Sequence, residues 1–163
     1  MDVLAAHLGG LLKAHGLKLV TAESCTGGGV AQAVTDIAGS SAWFERGFVT
    51  YSNESKRELL GVSLDTLTRH GAVSEAVVRE MATGALQHSH AQVALAVSGI
   101  AGPDGGMPDK PVGTVWFAWC IKGRTCVSRL HHLNGSRGEV RAQSVRIALQ
   151  GIIDLLNQLT IVV

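Results

Sequence analysis

The stretch GSSAWFERGFVTYSNESK, residues 39 to 56, gathers reactive side chains in a chain otherwise rich in Ala, Val, Leu and Gly. It holds two adjacent serines, Ser40 and Ser41, the only tyrosine, Tyr51, and an amine, Lys56. Two readings fit these residues. One is a turn that is merely polar; the other is a serine nucleophile with a lysine as its base. If Ser52 or Asn53 caps a short helix near residues 54 to 60, Lys56 falls in its first turn, where the macrodipole is positive and disfavours a cation. That field favours the neutral amine, and burial would lower its pKa further. A neutral lysine can deprotonate a serine. The competing reading is an ammonium turned out to solvent or paired with Glu54.

Two further polar clusters follow apolar runs. In TAESCTGG, Ser24 is placed to cap the next helix, and Gly27 and Gly28 open its backbone N–H groups to a phosphate or an oxyanion. An ordinary N-cap with packed glycines is the plainer alternative. In SGIAGPDGG, Ser98 precedes Gly99, Gly102, Gly105 and Gly106, whose backbone amides can line a ligand. This loop matches neither GxxxxGK[ST] nor GxGxxG, so a P-loop kinase and a dinucleotide fold lose support.

The elements that must position these clusters alternate. Leu4, Leu8, Leu11 and Leu12 recur at helical spacing and Gly16 stops that helix. LKLVTAES reads as a strand, TGGGVAQAVTDIAG as a helix starting just past Ser24, and GFVTYS as a second strand. VSEAVVREMATGALQHS is a helix capped by Ser74, and AQVALAVSG a strand buried on both faces. GTVWFAWCI and RTCVSRLHHL flank the turn KG as an antiparallel hairpin, and a last helix runs from near Ser136 towards Leu159. Helices interleaved with buried strands predict a three-layer α/β/α domain with a mixed, mostly parallel sheet over residues 1 to 163. Ligands of such sheets sit beyond the carboxyl ends of the strands, where all three clusters fall.

Composition narrows the function. A hydrophobic fraction of 46% and a charged fraction of 17% over 163 residues fit one globular domain. A net charge of +1 gives no footprint for nucleic acid. No run reaches membrane-spanning length, and MDVLAAHLGGLLKAHG reads as an amphipathic helix rather than a signal peptide, which places the protein in the cytoplasm. Cys120 and Cys126 read as buried thiols in neighbouring strands; Cys25 stands apart. His88 with His90 and His131 with His132 read as solvated histidines without a third ligand, so no metal is expected. The apolar tail LTIVV points to a subunit contact and a homo-oligomer.

TAESCTGG, GSSAWFERGFVTYSNESK, HGAVS, SGIAGPDGG, KPVGTVW and the late GSR together resemble the C-terminal domain of the CinA family, in order from about residue 5 to 158. The larger CinA proteins carry an additional N-terminal domain. The resemblance implies a stand-alone nicotinamide-mononucleotide deamidase, releasing ammonia and nicotinate mononucleotide without metal or cofactor. It implies a catalytic serine, tyrosine and lysine, carried over to Ser41, Tyr51 and Lys56, with Ser24 the rival nucleophile. It also implicates Ser98 and, through a GDR-like motif that here reads GSR, Arg137 as a phosphate ligand. Which glycine loop faces which end of the nucleotide stays open. So do a catalytically silent nucleotide-binding module on the same fold and an amidohydrolase for another pyridine nucleotide.

Overall fold

The computed structural model describes residues 1–161, with side chains described as far as residue 159. Val162 and Val163, the end of the LTIVV tail in which a subunit contact is expected, lie outside the described residues. The chain runs α1 (Asp2–His15), β1 (Leu19–Glu23), α2 (Gly29–Thr35), a single 3-10 turn at Ser40–Ala42, and β2 (Phe44–Val49). It continues through α3 (Asn53–Leu60), α4 (Leu64–His70), α5 (Glu75–Gln87), β3 (Val93–Gly99), β4 (Thr114–Ile121), β5 (Thr125–His132) and α6 (Arg137–Ile161). Gly16 closes α1 in the left-handed conformation, as its position at the end of the leucine repeat predicts. α4 is an addition; its seven residues are too short to declare a period.

The five strands form one sheet in the order β2-β1-β3-β4-β5. β1 pairs in parallel with both β2 and β3. β4 returns antiparallel between β3 and β5, so the sheet is mixed around a parallel core. β1 and β3 sit in the middle and are covered on both faces, which explains their unbroken apolar character. One face carries α1, α2 and α6 over a core that includes Leu8, Leu12, Leu95, Phe117, Trp119 and Leu149. The other carries α3, α4 and α5 over Val20, Leu60, Met81, Ala94 and Ala96. The three-layer expectation holds.

Two glycines record how closely the layers approach. A Cβ on Gly84 of α5 would fall 1.9 Å from the carbonyl oxygen of Leu60, so α3 can rest on α5 only over a bare Cα. A Cβ on Gly151 of α6 would fall 2.0 Å from the Trp119 ring, whose indole N–H donates to the Ala148 carbonyl at 2.8 Å.

The cysteine expectation requires correction. Cys120 and Cys126 face each other in the β4–β5 register and are joined by a disulfide, with Cα atoms 4.1 Å apart. Directly opposed cysteines on antiparallel neighbours are close enough to be bridged. No helix among the described residues is long and apolar enough to cross a membrane.

Candidate active site

Parallel pairing decides which polar clusters meet. β1 and β2 start together, with Leu19 opposite Phe44, and end together, with Glu23 opposite Val49. Ser24 and the segment Thr50–Lys56 therefore emerge side by side at the carboxyl edge. Thr50 extends the ladder, donating its N–H to the Glu23 carbonyl at 2.8 Å. α3 starts immediately afterwards because Ser52 caps it, accepting from the Ser55 N–H at 3.0 Å. Lys56 is thereby turned inwards, 1% exposed, beneath the strand ends.

Its ammonium nitrogen touches three oxygens. Nζ lies 3.1 Å from Ser24 Oγ, 2.8 Å from the Thr50 carbonyl and 3.1 Å from the Tyr51 carbonyl. Burial pulls the Lys56 pKa down from 10.5 to about 8. The amine is thus poised near neutrality with its hydrogen-bond directions fixed. Cys25, next to Ser24, is no competing nucleophile, since burial raises its thiol to about 11 and keeps it protonated.

Ser41 is not part of this arrangement. It sits exposed in the 3-10 turn before β2, at the amino edge of the sheet. The six-residue β2 separates it from Tyr51, roughly 16 Å of strand at about 3.3 Å per residue. The turn has a structural task instead. It leads into Trp43, which is 2% exposed, and the Trp43 carbonyl accepts from the Leu19 N–H to start the β1–β2 ladder. The Ser41–Lys56 pairing expected from the motif is therefore replaced by a Ser24–Lys56 pairing.

The turn after Ser24 also differs from expectation. Ser24 does not cap α2. Glu23, fully buried, accepts from Val30 N–H at 2.8 Å, from Ala31 N–H at 3.1 Å and from the Thr26 hydroxyl at 2.5 Å. The chain's own carboxylate occupies the amino end of α2, so a substrate phosphate has no place there. Gly27 and Gly28 turn the backbone with φ of 59° and 100° between Ser24 and the helix. Glu23 is the residue that reasoning from TAESCTGG passed over; a carboxylate at the end of an otherwise apolar strand was the available signal.

Opposite stands the third cluster. Ser98 Oγ donates to the Ala72 carbonyl at 2.9 Å, tying the end of β3 to the turn before α5. Gly99 needs its bare Cα for packing, because a Cβ would approach Val115 to 2.7 Å. Gly102 (φ 82°) lies against Val112, and its carbonyl accepts from Arg137 at 2.8 Å. Arg137 opens α6, whose start is fixed by a reciprocal cap. The Ser136 N–H donates to Glu139 Oε1 at 3.0 Å, and the Glu139 N–H to Ser136 Oγ at 3.2 Å. Ser136, standing where the family's motif has an acid, thus supplies a cap. Arg137 also donates to the Tyr51 hydroxyl at 3.3 Å. Tyr51 contributes its carbonyl to Lys56 while its phenol, 64% exposed, reaches outwards to the arginine.

Between these parts lies a cleft of about 170 Å³ lined by Ser24, Lys56, Val73, Ser98, Ala101 and Arg137. A roomier cleft of about 340 Å³ lies beside the disulfide, without a nucleophile and base pair. No group of three or more His, Cys, Asp or Glu among the described residues is arranged to hold a metal ion.

Comparison with known proteins gives a consistent picture. The model of the CinA C-terminal domain family matches residues 1–156. The chain is 57% identical over 147 residues to the nicotinamide-nucleotide amidohydrolase PncC of Escherichia coli K12, covering 90% of this chain and 89% of that protein. It is 51% identical over 155 residues to the protein of the same name from Pseudomonas putida, covering 95% and 96%. The solved structure of a CinA superfamily protein from Klebsiella pneumoniae superposes with a TM-score of 0.93 at 43% identity, covering 96% of this chain and 98% of the other.

Proposed function

This chain belongs to the CinA C-terminal domain family, and from that premise we propose that it hydrolyses the carboxamide of nicotinamide mononucleotide through an acyl-serine formed on Ser24. The observation that carries the reading is the buried Ser24–Lys56 contact of 3.1 Å. A neutral amine has two N–H donors and one lone pair. With the donors committed to the Thr50 and Tyr51 carbonyls, the lone pair faces the Ser24 hydroxyl. A desolvated amine held against a serine in a cleft favours an enzyme over a binding module.

The steps follow from this geometry. Lys56 takes the proton as Ser24 Oγ attacks the carboxamide carbon. Backbone N–H groups of the turn that follows Ser24 receive the oxyanion, apart from that of Gly27, which donates to the Ser24 carbonyl at 3.0 Å. The Lys56 ammonium then protonates the departing nitrogen, which leaves as ammonia. Water then gives a proton to Lys56 and adds to the acyl carbon; the acyl–Oγ bond breaks, Lys56 returns the proton to Ser24 Oγ, and nicotinate mononucleotide leaves. Such a product belongs to the salvage of pyridine nucleotides.

Arg137, on the exposed rim at the start of α6, is assigned to the 5′-phosphate, since a planar guanidinium suits it. The glycine loop from Gly99 to Gly102 frames that end, and the turn at Gly27 and Gly28 the reacting end. Arg137→Ala should raise KM for the mononucleotide about ten- to a hundredfold, the loss of a charge-assisted bond. The rate on a phosphate-free nucleoside should change little. The test of the whole reading is ammonia release from the purified protein with nicotinamide mononucleotide, beside free nicotinamide and the dinucleotide, before and after treatment with a chelator. Release from the mononucleotide, insensitive to chelation, supports it. No release, or release restored only by added metal, contradicts it.

A further inference from the structure

α6 presents a second arginine one turn beyond the first, and it is absent from the cleft lining. Arg141 is half-buried and takes part in none of the described ion pairs. Its donors go to backbone: Nε to the Cys25 carbonyl at 3.0 Å and Nη2 to the Thr26 carbonyl at 3.3 Å. These are the two carbonyls directly following Ser24. A Cβ on Gly27 would come within 3.3 Å of the same guanidinium, so the turn is wrapped closely around it.

Direction makes this contact consequential. In a planar trans peptide the C=O of one residue and the N–H of the next point opposite ways. Arg141 approaches from the α6 face of the sheet, whereas Lys56 approaches from the α3 face. Drawing the Cys25 carbonyl towards α6 therefore leaves the Thr26 N–H on the opposite side of that peptide, the side of α3, while the Gly27 N–H is held by the Ser24 carbonyl at 3.0 Å. A cation on the carbonyl also polarises the peptide and strengthens its N–H as a donor. We propose that Arg141 is a positioning residue that holds the turn after Ser24 in its oxyanion-binding orientation. The inference rests on Ser24 being the nucleophile.

The experiment uses the analogue of nicotinamide mononucleotide in which an aldehyde replaces the carboxamide. Ser24 Oγ adds to the aldehyde carbon and the carbonyl oxygen becomes the hemiacetal oxygen, so its binding reads the oxyanion site; nicotinate mononucleotide, the product, serves as control. Arg141→Met should lower kcat about ten- to a hundredfold, somewhat below the loss of a whole oxyanion donor. KM should stay within about threefold, and aldehyde affinity should fall in step with kcat while product affinity holds. Arg141→Lys, which keeps one donor, should recover part of both. Both affinities are read on folded protein, so a merely structural role would lower them together. Equal losses for aldehyde and product, or no loss for either, would overturn the clamp alone. An active Ser24→Ala variant would overturn the nucleophile assignment and the clamp with it.

Discussion

Lys56 has three hydrogen-bond donors when charged and two when neutral, and its surroundings offer two carbonyls and one hydroxyl. The charged form satisfies every partner; the neutral form leaves the lone pair on Ser24. In the proposed mechanism, titration of this one group should switch the site on. Below its pKa of about 8, log kcat should rise with unit slope as pH increases, then level off once the amine is neutral. Stability carries a matching signature. Between about pH 8 and 9 the unfolded chain keeps a Lys56 proton that the folded chain has released, so stability should rise with pH by roughly 1 kcal/mol. Above that window the raised Cys25 pKa works in the opposite sense. Lys56→Met should abolish the gain, as denaturant midpoints measured across the window would reveal. Tyr51→Phe removes a phenol bonded to Arg137, not to Ser24 or Lys56. It should raise KM about two- to tenfold, the value of one hydrogen bond, with kcat nearly unchanged; a large fall in kcat with KM constant would place the hydroxyl in the chemistry. Residue types alone drew attention to Lys56, and the family resemblance favoured Ser41 with Ser24 as its rival; the parallel register of β1 and β2 brings Ser24, not Ser41, beside Lys56.

At the scale of elements, the site depends on how α3 sits on α5. Gly84 lets the end of α3 rest directly on α5. Gly84→Ala inserts the better helix former, a gain of about 1 kcal/mol in an exposed helix. Here it should destabilise instead, by about 1–3 kcal/mol, because the added methyl meets backbone. Turnover should fall as well, since α3 carries Lys56. Thermal melts beside steady-state rates check both. Glu23 anchors α2 in the same manner, and the buried carboxylate explains why the turn after β1 holds without a side-chain cap from Gly28. Most elements could be read from residue pattern: the leucine repeat of α1, Ser74 before α5, the apolar run of β3, and the β4–β5 hairpin. Less could be read where tertiary contact decides. Phe44–Arg46 belong to β2 because they pair beside Leu19–Val20, not because their alternation is strong. The capping box Ser136–Glu139 stands in the sequence as SRGE, a serine with a glutamate three residues on.

For the whole molecule, the sheet sets the disulfide and the candidate site at different edges. Ser24, Ser98 and Thr50 cluster at the carboxyl edge of the parallel strands, as open α/β sheets require of a ligand site. The Cys120–Cys126 bridge lies near the opposite edge, beside the pairing of Val93 with Ile121. Cys126→Ser should leave kcat intact while costing up to about 2 kcal/mol, the loop-closure value for so short a span. The central claim is that the nucleophile is Ser24 and not Ser41, and it can be measured directly. Protein quenched in acid during turnover of nicotinamide mononucleotide is digested, and the peptides are searched for a nicotinoyl mononucleotide ester by mass spectrometry, in the wild type, Ser24→Ala and Ser41→Ala. The account predicts the ester on the peptide containing Ser24, its absence together with turnover in Ser24→Ala, and near-normal turnover in Ser41→Ala. An ester on the peptide containing Ser41, or an active and folded Ser24→Ala, would contradict it.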